Sequence, residues 1–152
     1  MVEWIRTHEV MKPSPACIDL VKSFEGFRPH ANLCPAGVWT IGYGTTEYVD
    51  PGDTVTEEQA CDLLRQDVQE AADAVDDLVD VELTQQQYDA LCSFIYNVGR
   101  EAFRNSTLLK MLNQGKAIKD IAPQFDRWIR AGGNVLPGLV KRRAAEREMF
   151  ES

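Results

Sequence analysis

Apolar residues recur at helical spacing in several separate stretches of this chain, and most of those stretches carry their own start or stop signal. Ile18, Leu20, Val21 and Phe24 are followed by Gly26, with Ser14 placed to cap and Pro15 suited to a first turn, so a short amphipathic helix is predicted to end at Glu25. Thr56 and Gln59 form a capping box. Beyond it Ala60, Leu64, Val68, Ala71, Val75 and Leu78 mark one face of a helix whose opposite face is strongly acidic. A second capping box, Thr84 with Gln87, opens the stripe Tyr88, Leu91, Cys92, Ile95 and Val98, which stops at Gly99 and is expected to form the hydrophobic centre. Further helices are predicted over 106–114, over 116–130 with a bend or restart at Pro123, and over 138–150. Phe125, Trp128 and Ile129 would share a face of the second, which makes Trp128 a core residue.

Residues 26–55 break the helical pattern. Five glycines and three prolines fall there, too many for a long helix, and Val38–Tyr43 is rich in β-formers, so this segment reads as a small β-hairpin lobe. The expected fold class is therefore α+β and mostly helical. A small β-hairpin lobe (26–55) is joined to a larger helical lobe (84–150) by a long helix over 56–80, which at ~1.5 Å per residue can span from one to the other. Residues 1–13 form a tail whose Trp4, Ile5, Val10 and Met11 can dock on the body, and 152 residues is a single-domain length.

The candidate chemistry lies where the first helix meets the β lobe. Glu25 stands in the last turn of its helix, facing the carbonyl end of the helix dipole and flanked by Phe24 and Phe27. Both features disfavour the ionised form, which is the condition for a carboxyl that donates a proton near neutral pH. No other acidic residue occurs between Glu25 and Glu47, so a second catalytic group is not a carboxylate of this loop. Cys34 and Thr40 follow Glu25, and Thr40 opens Thr-Ile-Gly-Tyr-Gly, where Gly42 and Gly44 permit close approach of another backbone or a ligand. His30 reads as a loop residue that would favour the Cys34 thiolate if the two met.

Charge narrows the partners. The net charge is -8, yet residues 100–152 carry 11 basic and 6 acidic groups against 5 and 18 in residues 1–99. Nucleic acid is a poor partner for such a chain, whereas its basic last third suits an anionic polymer such as a cell wall. Cys17, Cys34, Cys61 and Cys92 show no metal-ligand spacing, so neither a metal nor a cofactor is expected, and Cys61 and Cys92 fall on apolar helical faces as buried thiols. No signal-peptide-like or membrane-spanning apolar run is present, which predicts a chain that stays in the cytoplasm that makes it.

The spacing of Glu25, Cys34 and Thr40, with eight and five residues between them, resembles the catalytic motif of the phage-type lysozymes, the muramidase endolysins of tailed bacteriophages, in which Asp or Cys holds the middle place. The likeness extends through Pro51-Gly52-Asp53, Asn97-Val98-Gly99, Ser106-Thr107-Leu108-Leu109, Trp128, Gly132-Gly133, Gly138-Leu139, Arg142-Arg143 and Glu146, covering about Cys17 to Phe150. It implies a lysozyme-like fold and hydrolysis of the β-1,4 bond between N-acetylmuramic acid and N-acetylglucosamine in peptidoglycan, leading to host lysis. By resemblance, Glu25 protonates the leaving oxygen, Thr40 helps hold a water on the far face of the sugar, and Asn97 bonds an acetamido group. Cys34 is then either a polar water-holder or a thiolate. Arg142 or Arg143 is expected to reach Glu25 and orient it. The enzyme would act as a monomer and leave the host cytoplasm through a holin-type pore. Two other readings stay open: a lytic transglycosylase acting on the same bond with one acid/base Glu, and a non-catalytic wall- or membrane-binding protein working through its basic C-terminal helix.

Overall fold

The computed structural model describes residues 11–152; Trp4, Ile5 and Val10 of the expected tail lie outside the described residues. Met11 packs on the core, and its carbonyl accepts from the Tyr88 hydroxyl at 3.1 Å. Helix α1 (Pro15–Glu25) starts with a proline in its first turn and stops at Gly26, whose φ of 73° is left-handed and whose N–H bonds Lys22 at 3.1 Å. Ser14 occupies the capping position but does not cap. Its hydroxyl and its N–H both bond the buried carboxylate of Asp89, which ties the start of α1 to the middle of the molecule.

Strands β1 (Arg28–Leu33) and β2 (Trp39–Gly42) pair antiparallel, with Asn32 opposite Thr40 and an irregularity between Arg28 and Asn32. The loop at Asp53–Val55 adds to the outer side of β1 through Ala31 N–H to Asp53 and Val55 N–H to Pro29, both at 2.9 Å. Helix α2 (Glu57–Leu78) and helix α3 (Gln85–Val98) each begin with the expected capping box. Every residue of α3 from Tyr88 to Ile95 is buried, because α1, α2, α4 and α7 all pack around it. Phe94, completely buried, meets the rings of Phe125 at 5.3 Å and Trp128 at 5.6 Å.

The segment after α3 is more broken than its periodicity suggests. A short helix, α4 (Arg100–Arg104), precedes α5 (Thr107–Asn113). The helix expected over 116–130 is instead one turn, α6 (Ile118–Ile121), followed by a 3₁₀ segment over Ala122–Arg127 and a tight hairpin, β3 (Arg130–Ala131) with β4 (Asn134–Val135). Pro123 cannot supply an α-helical N–H, and Gly132 and Gly133, at φ 58° and 83°, form the two-residue turn of a twisted hairpin. Helix α7 (Pro137–Glu151) closes the fold, and the face it buries is Arg142, Arg143, Glu146 and Phe150. Three of those four are charged, so the last helix docks through ion pairs as much as through apolar contact.

Tyr43 ties the β lobe to the helices. The Tyr43 hydroxyl donates to Glu57 at the start of α2 at 2.7 Å, and Lys22 of α1 pairs with the same carboxylate oxygen at 3.5 Å. Gly42 lies so close to α2 that an added Cβ would stand 3.0 Å from that of Ala60. Glycine is thus required at this point of lobe-to-lobe approach.

Candidate active site

Because α1 ends at Glu25, its last side chain projects past the helical body into a cleft of about 620 Å³ between the lobes. Gly44, Thr46 and Glu47 of the β lobe form one side; Asp67 and Glu70 of α2, with Tyr96 and Asn97 at the end of α3, form the other. Glu25 is about one-fifth exposed, and its Oε2 meets Arg142 of α7 at 3.3 Å. The surroundings anticipated from the helix end alone, an unfavourable dipole and two phenylalanines, thus include a guanidinium as well. That guanidinium also lies over the Phe24 ring, 5.7 Å from its centroid.

Arg142 is held from behind. Its Nε bonds Glu146 at 3.3 Å and its Nη2 the Ser93 carbonyl at 3.3 Å, while the Ser93 hydroxyl donates to Glu146 at 2.6 Å. Arg143 does not reach Glu25. It pairs with the other oxygen of Glu146, donates through Nε to the Trp128 carbonyl at 2.8 Å, and bonds Asn97 Oδ1. Burial pulls the Arg143 pKa down from its ordinary value, and the adjacent Glu146 carboxylate opposes that shift. Two guanidinium and two carboxylate groups therefore balance one another, and no buried side-chain N or O among the described residues lacks a hydrogen-bond partner. Asn97 presents its remaining amide N–H groups at the cleft as donors, since its oxygen is taken by Arg143.

The model of the phage lysozyme family matches residues 22–146. The chain belongs to the phage lysozyme family. Among the relatives of this phage lysozyme, the endolysin of Acyrthosiphon pisum secondary endosymbiont phage 1 is 45% identical over 137 residues, 88% of this chain and 93% of the relative. The endolysin of Salmonella phage P22 is 42% identical, covering 94% of this chain and all of that one. The solved muramidase domain of SpmX from Asticaccaulis excentricus superimposes with a TM-score of 0.87 at 42% identity, covering 95% of this chain and 99% of that one.

Cys34 and Thr40 both lie in the β hairpin, apart from the residues that line the cleft around Glu25. Cys34 opens the turn between the strands, with its N–H on Val38 at 2.9 Å, and Thr40 is buried on β2. Hydrogen bonding from the Val38 backbone, aided by the Ala36 backbone and the Thr40 side chain, holds the Cys34 thiol below its ordinary pKa. His30 takes no part in this: it is exposed and bridges to Thr54. Much of the basic charge of the last third is also consumed internally, in Arg142 and Arg143 and in the pairs of Arg147 with Asp126 and Glu151 and of Arg100 with Asp77. The charged lining of the cleft itself is mostly acidic, with Glu25, Glu47, Asp67, Glu70 and Asp73 against Arg100.

Two cleft residues, Tyr96 and Asp67, and the buried Thr45 beside them received no role from the sequence reading. Tyr96 and Asp67 lie on helices, where an aromatic reads as core and an acid as solvated face. Thr45 is buried and donates to Asp67 Oδ2 at 2.6 Å, joining the loop after Gly44 to α2. The one available signal was Gly44, whose spacing after Gly42 marks a close approach. Burial pushes the Asp67 carboxyl above the ordinary carboxylate range, opposed by the Thr45 hydrogen bond. A carboxyl raised in the native state contributes stability that is present below its unfolded pKa and lost as pH rises through the native one. Asp67→Asn, which keeps an acceptor for Thr45, is therefore expected to raise the urea midpoint at pH 7 and to lose that advantage as pH falls through the carboxylate range. A midpoint lowered equally at both pH values would contradict this.

Proposed function

We propose that this phage lysozyme is a peptidoglycan-hydrolysing endolysin that cleaves the β-1,4 bond between N-acetylmuramic acid and N-acetylglucosamine, with Glu25 as its general acid. The observation that carries this reading is a helix-end carboxylate projecting into the inter-lobe cleft, with one oxygen on Arg142 and the other against the Gly44 turn. Arg142 orients the group and leaves Oε1 to deliver the proton to the leaving oxygen. The amide N–H of Asn97 suits the carbonyl of an acetamido group.

In this reading Thr40 and Cys34 hold the attacking water on the opposite face of the sugar. The Cys34 sulfur can accept a hydrogen bond from that water, as a carboxylate oxygen would. In this reading Cys34 assists without becoming the nucleophile, since the attacking atom is the water oxygen.

Glu25→Gln is expected to lower the clearing of outer-membrane-permeabilised cells by about 10²- to 10⁴-fold with the fold intact. Cys34→Asp should keep substantial activity, Cys34→Ser should lose part of it and Cys34→Ala more. Full lysis by folded Glu25→Gln would sink the enzymatic reading, and a sugar adduct on Cys34 by mass spectrometry would replace the water-holder with a nucleophile.

Access to the wall is taken to run through a separate holin-type pore, with the enzyme acting as a monomer from the host cytoplasm. No helix among the described residues is long and apolar enough to cross a membrane. Producing this chain alone in a host should leave cells intact until a pore former is supplied; prompt lysis without one would refute the route.

A further inference from the structure

Tyr96 stands where both lobes and the acid meet. Its hydroxyl, on the last turn of α3, donates to the carbonyl of Tyr43 in the β lobe at 3.0 Å. The next residue, Gly44, has φ +104°, and a Cβ placed there would be 3.0 Å from the Tyr96 oxygen and 3.4 Å from Glu25 Oε1. Glu25 Oε2 is held by Arg142, whereas Oε1 has no hydrogen-bond donor among the described residues and rests against this glycine turn. Tyr43 is thereby clamped at both ends, its hydroxyl on α2 through Glu57 and its carbonyl on α3 through Tyr96.

We propose that Tyr96 is a positioning residue for the acid: its hydroxyl pins the Tyr43–Gly44 backbone to α3 and so fixes the wall that keeps Glu25 Oε1 pointed into the cleft. The inference rests on Glu25 being the general acid. Burial and the nearby charges of Glu25 and Asp67 push the Tyr96 phenol well above its ordinary pKa, so it stays protonated and remains a donor. Without the hydroxyl the glycine turn is free to move away from α3, and the acid loses a surface that limits its rotamers. An aromatic ring alone fills the same space but cannot make the tether. The effect should therefore fall on the chemical step more than on substrate binding, since misplacing a reacting group by about 1 Å can cost up to ~10²-fold in rate.

The test is a double-mutant cycle of Tyr96→Phe and Gly44→Ala. Initial rates of reducing-end release are followed against the concentration of purified peptidoglycan, with Glu25→Gln as control and thermal midpoints measured for each variant. Tyr96→Phe is expected to lower kcat by about 10-fold with KM within about twofold and the thermal midpoint shifted by only a few degrees. Gly44→Ala should be impaired as well, but less so in the Tyr96→Phe background, because the atom its methyl group meets is gone while the strain of its positive φ is common to both. Wild-type kcat in Tyr96→Phe, strictly additive losses in the cycle, or a loss that merely follows the unfolded fraction would each overturn the proposal. If Glu25→Gln is inactive while Tyr96→Phe keeps full kcat, only the positioning role fails; if folded Glu25→Gln is fully active, the reading of the site fails with it.

Discussion

Arg142 is the contact on which the arrangement of the site depends. It lies almost entirely out of solvent and joins Glu25 at the end of the first helix to Glu146 in the last. Taking such charges out of water costs several kcal/mol per ion, and the attraction between them offsets this only when every remaining donor and acceptor is satisfied. Here Ser93, Asn97 and the Trp128 carbonyl complete the set, and Arg143 supplies the second positive charge that Glu146 needs. An apolar substitute for the whole group would often be as stable. What the ionic version adds is direction: a guanidinium with fixed donors can orient a carboxylate, and a leucine cannot.

The β lobe is held to this centre by small residues and single polar contacts. Gly42 lies against Ala60, Gly44 against Tyr96 and Glu25, and Tyr43 between them reaches both α2 and α3. Thr45 adds a bond to Asp67 on the far side of the same turn. Four consecutive residues thus set the width of the cleft. The Tyr96 bond is neutral and worth about 1 kcal/mol, and that to the Asp67 side chain is worth up to about 3 kcal/mol when the carboxylate is ionised, so the cleft is shaped by the number and geometry of these contacts.

Legibility in the sequence followed the kind of signal involved. Helices α2 and α3 were readable because two capping boxes and long apolar stripes agree, and α1 because Pro15 and Gly26 bracket it. The region 116–130 was not, since three apolar residues at helical spacing also fit a short 3₁₀ turn, and tertiary packing of Phe125 on Phe94 decides between them. Ser14 looked like a cap; a buried Asp89 distant in sequence competed for it. Within the site, Glu25 stood out through its helix-end position. Arg142 and Arg143 are adjacent on the helix, and only the docking of α7 determines which of them faces Glu25. Tyr96 and Asp67 carry no local mark at all, because their roles arise from a loop packed against them about twenty to fifty residues earlier in the chain.

In the proposed mechanism one carboxylate suffices: Glu25 gives the proton, and a water held at Cys34 and Thr40 attacks from the opposite face. Such a route inverts the anomeric carbon, whereas a covalent intermediate would retain it and attack by the sugar's own 6-hydroxyl would leave no reducing end. Proton NMR of the first products released from purified peptidoglycan, recorded before mutarotation, reads this directly. Inversion at the β-linked carbon gives a reducing end that appears first as the α-anomer. A β-anomer at the earliest times, or a 1,6-anhydro end, would contradict it.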